Sequence, residues 1–415
     1  MDWITIILLL IAGLVLLVVG GELLVRGASS VAAVFGISPL VIGLTVVAFG
    51  TSSPELAVSI QAGLSGNSDI AVGNVVGSNI FNVLFILGIC ALILPLLVSR
   101  QLVRREVPIM IGTSLLLLIL ALDGAIGLID GLLLFTGMIG YTAWSIIASR
   151  QETAAAKGGD EPVTIDTIAG KSPLWLLGAV GVLVVALVGY LLGWFDIVVT
   201  GFFVAGALLF IAGSLFGKGG TTRAGDIAHQ VGFILAGLGT LVLGAGWLID
   251  SATAIAQAFG VSDLIIGLTI VAAGTSLPEV ATSIIATIRK ERDIAIGNVV
   301  GSNIFNILGI LGIAAIVTPG GLTVNPLIIS FDMPIMIAVA LACLPIFFTG
   351  FSIARWEGFL FLASYVAYTL FLILVATANP ALETFTNAML LVLPIIAATL
   401  IWTTLQFLRS RRRAS

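Results

Sequence analysis

The sequence predicts an all-α polytopic membrane protein of about 13 transmembrane helices, ten of them in two five-helix repeats of inverted topology and about three additional. Three observations carry that fold class. The composition is too apolar for a soluble domain, the basic residues sort to one side of an alternating helix count, and an internal repeat returns after an odd number of helices.

Of 415 residues, 59% are hydrophobic and only 9% charged, with a mean hydropathy of +1.23. Soluble domains carry roughly a quarter charged residues. A hydrocarbon core about 30 Å thick needs about 20 apolar residues per helix, and such runs recur throughout. Cys90 and Cys343 lie in apolar runs without metal-ligand spacing and read as small core residues. His229, the single histidine, opens a hydrophobic run after a polar loop and reads as interfacial. Nothing in the composition calls for nucleic acid, and the oligomeric state is left open.

The elements follow from the apolar runs and their interruptions. The expected spans are 3–25, 38–63, 70–98, 107–122, 126–149, 173–192, 196–217, 229–249, 263–288, 294–318, 328–348, 356–377 and 386–408. The first run, from Trp3 to Val25, lacks a basic leader and exceeds a signal-peptide core, so it is expected to stay as a helix. With the N-terminus outside and the C-terminus cytoplasmic, all 17 Lys and Arg residues fall on the cytoplasmic side. The opposite loops hold Asp69, Asp123, Asp196, Asp250, Asp263 and Glu383 instead. The expectation is a multi-pass protein of the cell (inner or plasma) membrane, facing the lipid bilayer along its length. The polar stretch from Arg150 to Ser172 reads as a cytoplasmic linker, and Arg409 to Arg413 as an anchor on anionic headgroups.

Gly36–Ile60 matches Gly260–Ile284 at 17 of 25 positions, at an offset of 224. Asp69–Asn82 matches Asp293–Asn306 at 13 of 14, at the same offset. Val107-Pro108-Ile109-Met110 returns as Met333-Pro334-Ile335-Met336, and Tyr141-Thr142 as Tyr368-Thr369. Seven expected helices precede the second copy, which inverts it across the bilayer. Inverted repeats with broken helices mark secondary transporters with midplane sites. The chain divides accordingly into a first repeat (1–150), a linker (151–172), an inserted helix pair (173–222), a second repeat (223–378) and a C-terminal helix with a basic tail (379–415).

Each copy places a carboxylate in mid-span, Glu55 after Gly50-Thr51-Ser52-Ser53-Pro54 and Glu279 after Gly274-Thr275-Ser276-Leu277-Pro278. Such a group is costly in hydrocarbon and points to function. No Lys or Arg lies at matching depth, which suggests a bound cation. Proline removes a backbone donor, so carbonyls from Ala48 to Gly50 and from Ala272 to Gly274 are expected to be available as ligands. Thr51 and Ser52 lie four and three residues before Glu55 and are expected on its helix face. Thr275 and Ser276 repeat the pattern before Glu279. The following helix stacks Asn74, Ser78 and Asn82 on one stripe, repeated by Asn298, Ser302 and Asn306. Asp69 and Asp293 read as helix N-caps. The inventory is one of hard oxygen donors, suited to Ca²⁺ or Na⁺ and not to zinc or copper. No HExxH or G-x-G-D signature supports an enzyme, and no resident cofactor is expected.

The paired motifs GTS-x-PE and GN-x-VGSNIFN closely resemble the α-repeats of the cation/calcium exchanger superfamily, nearest to prokaryotic sodium/calcium antiporters. The resemblance implies a ten-helix exchanger core that binds Ca²⁺ and Na⁺ alternately. Carried over, the ligands are Glu55, Thr51, Ser52 and the Ala48 carbonyl with Ser78 and Asn82, and Glu279, Thr275, Ser276 and the Ala272 carbonyl with Ser302 and Asn306. Two departures stand out. The inserted pair and the last helix are extra to the core, and Asn306 occupies a position where several members carry Asp. With two carboxylates, one Ca²⁺ neutralises the site, and a proton becomes an alternative counter-ion to sodium.

Overall fold

The computed structural model describes residues 3–35, 37–156, 197–216, 223–259 and 272–414, which are mostly helical. In chain order the helices are α1 (Trp3–Phe35), α2 (Pro39–Thr51), α3 (Ser53–Leu64), α4 (Ser68–Ile93), α5 (Val107–Ala121), α6 (Leu128–Ala156) and α7 (Ile197–Phe216). They continue with α8 (Arg223–Ala258), α9 (Leu277–Ile288), α10 (Arg292–Val317), α11 (Met333–Phe348), α12 (Arg355–Ala376) and α13 (Ala381–Ala414). Among the described residues, 8 helices are long and apolar enough to cross a membrane, or 9 if α2 and α3, bent by 47° at their junction, form one broken span. The expected span 173–192 lies outside the described residues, as do residues 263–271 of the span 263–288.

Several helices outrun the spans expected from hydropathy. Helix α1 continues from Val25 to Phe35, and α8 extends the expected 229–249 to Arg223–Ala258. Hydropathy marks where the membrane ends, whereas a helix ends where its backbone loses partners. At Arg26 nothing breaks: its side chain pairs with Glu22 one turn earlier, and Arg289 pairs with the same carboxylate. In contrast, α4 stops at Ile93, short of the expected Val98, before Pro95.

The described residues fall into two compact units, each drawn from both sequence copies. One draws on Met1–Pro54, Ile139–Ile255 and Leu277–Gly301, the other on Glu55–Met138, Ala256–Ser276 and Ser302–Ser415.

In the first unit, Leu24, Ala28, Val47, Leu238, Leu241, Ala286 and Ile294 build a buried apolar core. Small residues bring backbones into contact, as packing between apolar helices favours. On α1, Gly13, Gly20 and Gly27 recur every seven residues against α8; a Cβ at Gly20 would lie 2.8 Å from the Gly237 carbonyl oxygen. Helix α2 is capped by Ser38, whose Oγ accepts from the Val41 amide at 3.3 Å, with Pro39 in its first turn. It crosses the start of α10 at Gly43, Gly297 and Gly301.

In the second unit, α4 meets α12 at Gly88 and Gly358, and α6 meets α10 at Gly131 and Gly312. Two short antiparallel ladders satisfy the loop backbones. Strand β1 (Leu96–Leu97) pairs with β4 (Ser352–Ile353), and β2 (Ala125–Ile126) with β3 (Leu322–Thr323). Each ladder takes one strand from each sequence copy.

Wide π-turns occur at equivalent places in the two copies. They span Asn82–Leu87 in α4 and Asn306–Leu311 in α10, immediately after the shared Asn-Ile-Phe. Two more, Leu102–Glu106 and Ile328–Asp332, precede α5 and α11, where Pro108 and Pro334 cannot donate to the ladder. Such turns cluster at functional sites because they re-aim side chains and free carbonyls.

Candidate functional site

Both glutamates are buried, each 1% exposed. In the first unit, Glu279 opens α9 and its Oε1 accepts from Ser52 Oγ at 2.8 Å. Its backbone carbonyl accepts from Asn298 Nδ2 at 3.4 Å, and the same amide donates to Ser283 Oγ at 3.0 Å. Thr51 Oγ1 donates to Asn298 Oδ1 at 3.1 Å and lies 3.1 Å from the Val47 carbonyl. The Glu279 Oε2 is buried and accepts no hydrogen bond among the described residues.

The second unit repeats the pattern with the copies exchanged. Glu55 Oε1 accepts from Ser276 Oγ at 2.7 Å, and Ser276 Oγ lies 3.2 Å from Ser78 Oγ. Asn74 Nδ2 donates to the Glu55 carbonyl at 3.3 Å and to Ser59 Oγ at 3.1 Å. Thr275 Oγ1 donates to Asn74 Oδ1 at 3.4 Å. Each serine and threonine thus serves the glutamate and asparagine of the other copy.

This crossing corrects the expectation that Thr51 and Ser52 share a helix face with Glu55. The helix breaks at Ser52, whose φ of −82° and ψ of 11° leave the helical range, and the 47° bend turns the hydroxyls towards α9 and α10. The Ala48 carbonyl, expected to be freed by Pro54, accepts the Ser52 amide at 3.0 Å and Thr51 Oγ1 at 3.4 Å. A carbonyl has two lone pairs, so engagement with one amide still leaves ligating capacity. Ala272 opens the helical turn Ala272–Gly274 at the equivalent place. The N-cap reading of Asp69 also changes. The cap position belongs to Asn67, and Asp69 sits inside the first turn, accepting from Asn325 Nδ2 at 3.2 Å. Asp293 likewise lies in the first turn of α10. A carboxylate there faces the positive end of the helix dipole.

Further along α4, and in the part of α10 from Ser302 on, which belongs to the second unit, Asn82 and Asn306 are each 1% exposed and Ser302 is fully buried. Their Asn82 Oδ1, Asn306 Oδ1 and Ser302 Oγ atoms have no hydrogen-bond partner among the described residues. Buried oxygens without donors lose their hydration uncompensated, and either a cation or a buried water can satisfy them. Four residues outside the expected set join these clusters: Ser59, Ser283, Asn79 and Asn303. All four recur at the 224-residue offset, a signal that was present in the sequence. A cavity of about 560 Å³ lined by Thr349, Trp356, Glu357 and Thr403 shares no residue with the candidate set.

The pattern of the sodium/calcium exchanger protein family matches residues 5–147 and 229–374. The chain is 36% identical to the inner membrane protein YrbG of Escherichia coli (strain K12), over 80% of this chain and 86% of that protein. It is 32% identical to the sodium/calcium exchanger MaX1 of Methanosarcina acetivorans, over 87% of this chain and 96% of that protein. A solved structure of the sodium-calcium exchanger NCX_Mj, soaked with 10 mM Na⁺ and 10 mM Sr²⁺, superposes with a TM-score of 0.64 at 27% identity. That alignment covers 90% of this chain and 99% of the other.

Proposed function

The chain belongs to the sodium/calcium exchanger protein family, and from that premise we propose that it exchanges Ca²⁺ for Na⁺ across the membrane by alternating access. The observation that carries the reading is the crossed pairing of each buried glutamate with the serine of the opposite copy, Ser52 with Glu279 and Ser276 with Glu55. A hydroxyl that donates to a carboxylate oxygen fixes its orientation, and both groups keep lone pairs that a cation can share. The proposed ligands are Glu55, Glu279, Thr51, Thr275, Ser52, Ser276, Ser78, Ser302, Asn74, Asn298, Asn82, Asn306 and the Ala48 and Ala272 carbonyls. These are hard oxygens, the chemistry Ca²⁺ and Na⁺ require.

The proposed architecture is two five-helix repeats in inverted topology, with about 13 spans in all, an outside N-terminus and a cytoplasmic C-terminus. In it, residues 1–150 and 223–378 form the exchanger core, joined by the linker 151–172 and the helix pair 173–222, with 379–415 as an added helix and tail. Two ionised carboxylates in a dry interior are unfavourable, so the empty site resists crossing between states. Ca²⁺, or counter-cations in its place, neutralises the site and permits the switch, which couples the two fluxes. Asn306, where an acidic residue would supply a further charge, supports a second reading in which protons replace sodium.

The test is labelled-calcium uptake into vesicles of the purified protein under a sodium gradient and then a proton gradient. Uptake driven by sodium and lost in Glu55→Gln and Glu279→Gln is the expected result. Uptake driven by protons alone selects the second reading, and calcium movement without any counter-cation overturns both.

A further inference from the structure

We propose that Asn79 and Asn303 are positioning residues that lock Asn82 and Asn306 with their carbonyl oxygens, rather than their amide nitrogens, presented to the transported cation. The inference rests on the exchanger reading above and adds to it the device that sets the polarity of two neutral ligands.

The geometry is a closed knot of four amides in the second unit. Asn79 Nδ2 donates to the Asn303 backbone carbonyl at 3.2 Å, and Asn303 Nδ2 returns the bond to the Asn79 carbonyl at 3.3 Å. Asn306 Nδ2 donates to Asn79 Oδ1 at 2.9 Å, and Asn82 Nδ2 to Asn303 Oδ1 at 3.1 Å. Each central amide also has a methionine sulfur beside its nitrogen, Met336 at 3.6 Å from Asn79 and Met110 at 3.5 Å from Asn303.

An asparagine is nearly symmetric in shape but not in chemistry, since one end only donates and the other only accepts. A backbone carbonyl only accepts, so the partner of the Asn303 carbonyl has to be the Asn79 nitrogen. That orientation leaves Asn79 Oδ1 on the opposite side, where it requires a donor. Asn306 therefore turns its nitrogen inwards and its oxygen away. The same chain of forced choices runs from the Asn79 carbonyl through Asn303 to Asn82. Both outward oxygens, Asn82 Oδ1 and Asn306 Oδ1, are buried and accept no hydrogen bond among the described residues, as expected of oxygens held for a cation.

A carboxylate has two oxygens and hence no wrong way round, which makes the proposal separable from simple packing. The experiment measures the calcium concentration for half-maximal uptake in proteoliposomes for Asn79→Leu, Asn306→Asp and the double variant. Losing the lock lets Asn306 turn, so Asn79→Leu is expected to raise that concentration roughly tenfold, about the worth of one contact between a charge and a dipole. In the Asn306→Asp background the inner carboxylate oxygen meets Asn79 Oδ1 acceptor to acceptor, so there the same substitution is expected not to raise it. The pair Asn303→Leu and Asn82→Asp repeats the test from the other side should either Asn79 variant fail to fold. Equal losses with and without the Asp substitution would show a packing role and overturn the proposal. No calcium uptake by the unaltered protein would overturn the exchanger reading instead, and the proposal with it.

Discussion

Replacing Gly301 by alanine tests whether the α2–α10 crossing positions the first half of the site. A Cβ at 301 would lie 2.5 Å from both the Cα and the carbonyl oxygen of Leu44, and 2.7 Å from its carbonyl carbon. These are backbone atoms of α2 and cannot rotate aside. Restoring ordinary carbon contacts of about 3.5 Å requires the helices to part by about 1 Å. Thr51 and Asn298 bridge the same crossing at 3.1 Å, and an added ångström carries that bond out of range. Overpacking costs about 1–3 kcal/mol, and the lost bond adds about 1 kcal/mol. The helix propensity gained by alanine offsets less than about 1 kcal/mol. The net expectation is a loss of roughly 1–3 kcal/mol, with weakened calcium uptake at equal protein. The assay is the thermal unfolding midpoint of the detergent-purified protein beside vesicle uptake. Gly112→Ala on α5 is the control, because among the described residues a Cβ there meets nothing within 4 Å. A Gly301→Ala protein that unfolds and transports like the unaltered one, or a Gly112→Ala protein that loses as much, would refute the reasoning.

The other predictions concern single groups. Ser276→Ala removes the 2.7 Å donor to Glu55, and Ser52→Ala its counterpart at Glu279. Each is expected to raise the half-saturating calcium concentration by roughly 10–100-fold, the scale of one bond to a charged group, and unchanged uptake curves would contradict the pairing. Lys290 holds a left-handed φ of 65° where the other copy has Gly66 at 77°, so Lys290→Gly should raise the unfolding midpoint by relieving about 1 kcal/mol of backbone strain without altering uptake. Protons and calcium compete for the same carboxylates. Uptake at low calcium should therefore decline as pH is lowered and recover when calcium is raised; a decline that calcium cannot reverse would place the titrating group elsewhere.

Much of the candidate site was readable in the sequence because duplication prints each candidate residue twice. The positions of Glu55 and Glu279, and the Asn74-Ser78-Asn82 stripe with its copy, needed only hydropathy and spacing. What spacing missed was partner choice. A four-residue interval places Thr51 over Glu55 in an unbroken helix, but the break at Ser52 hands both hydroxyls to residues more than two hundred positions away. Asn79 escaped for a related reason. It lies one residue past Ser78 and so about 100° around the helix from the expected stripe, where only the folded chain reveals Asn303 opposite. Ser59 follows Glu55 by one turn and reads as an ordinary small residue until Asn74 reaches it. Helix ends were the remaining error, since charge at Arg26 marks an interface while the Glu22 pair lets the helix run on.

The two short ladders make each sequence copy depend on the other. Among the described residues, strand β1 pairs with β4 and β2 with β3, so each copy leaves strand edges that the other closes. One copy on its own would leave its strand edges, its serines and glutamates and its asparagine amides without the partners that the other copy supplies.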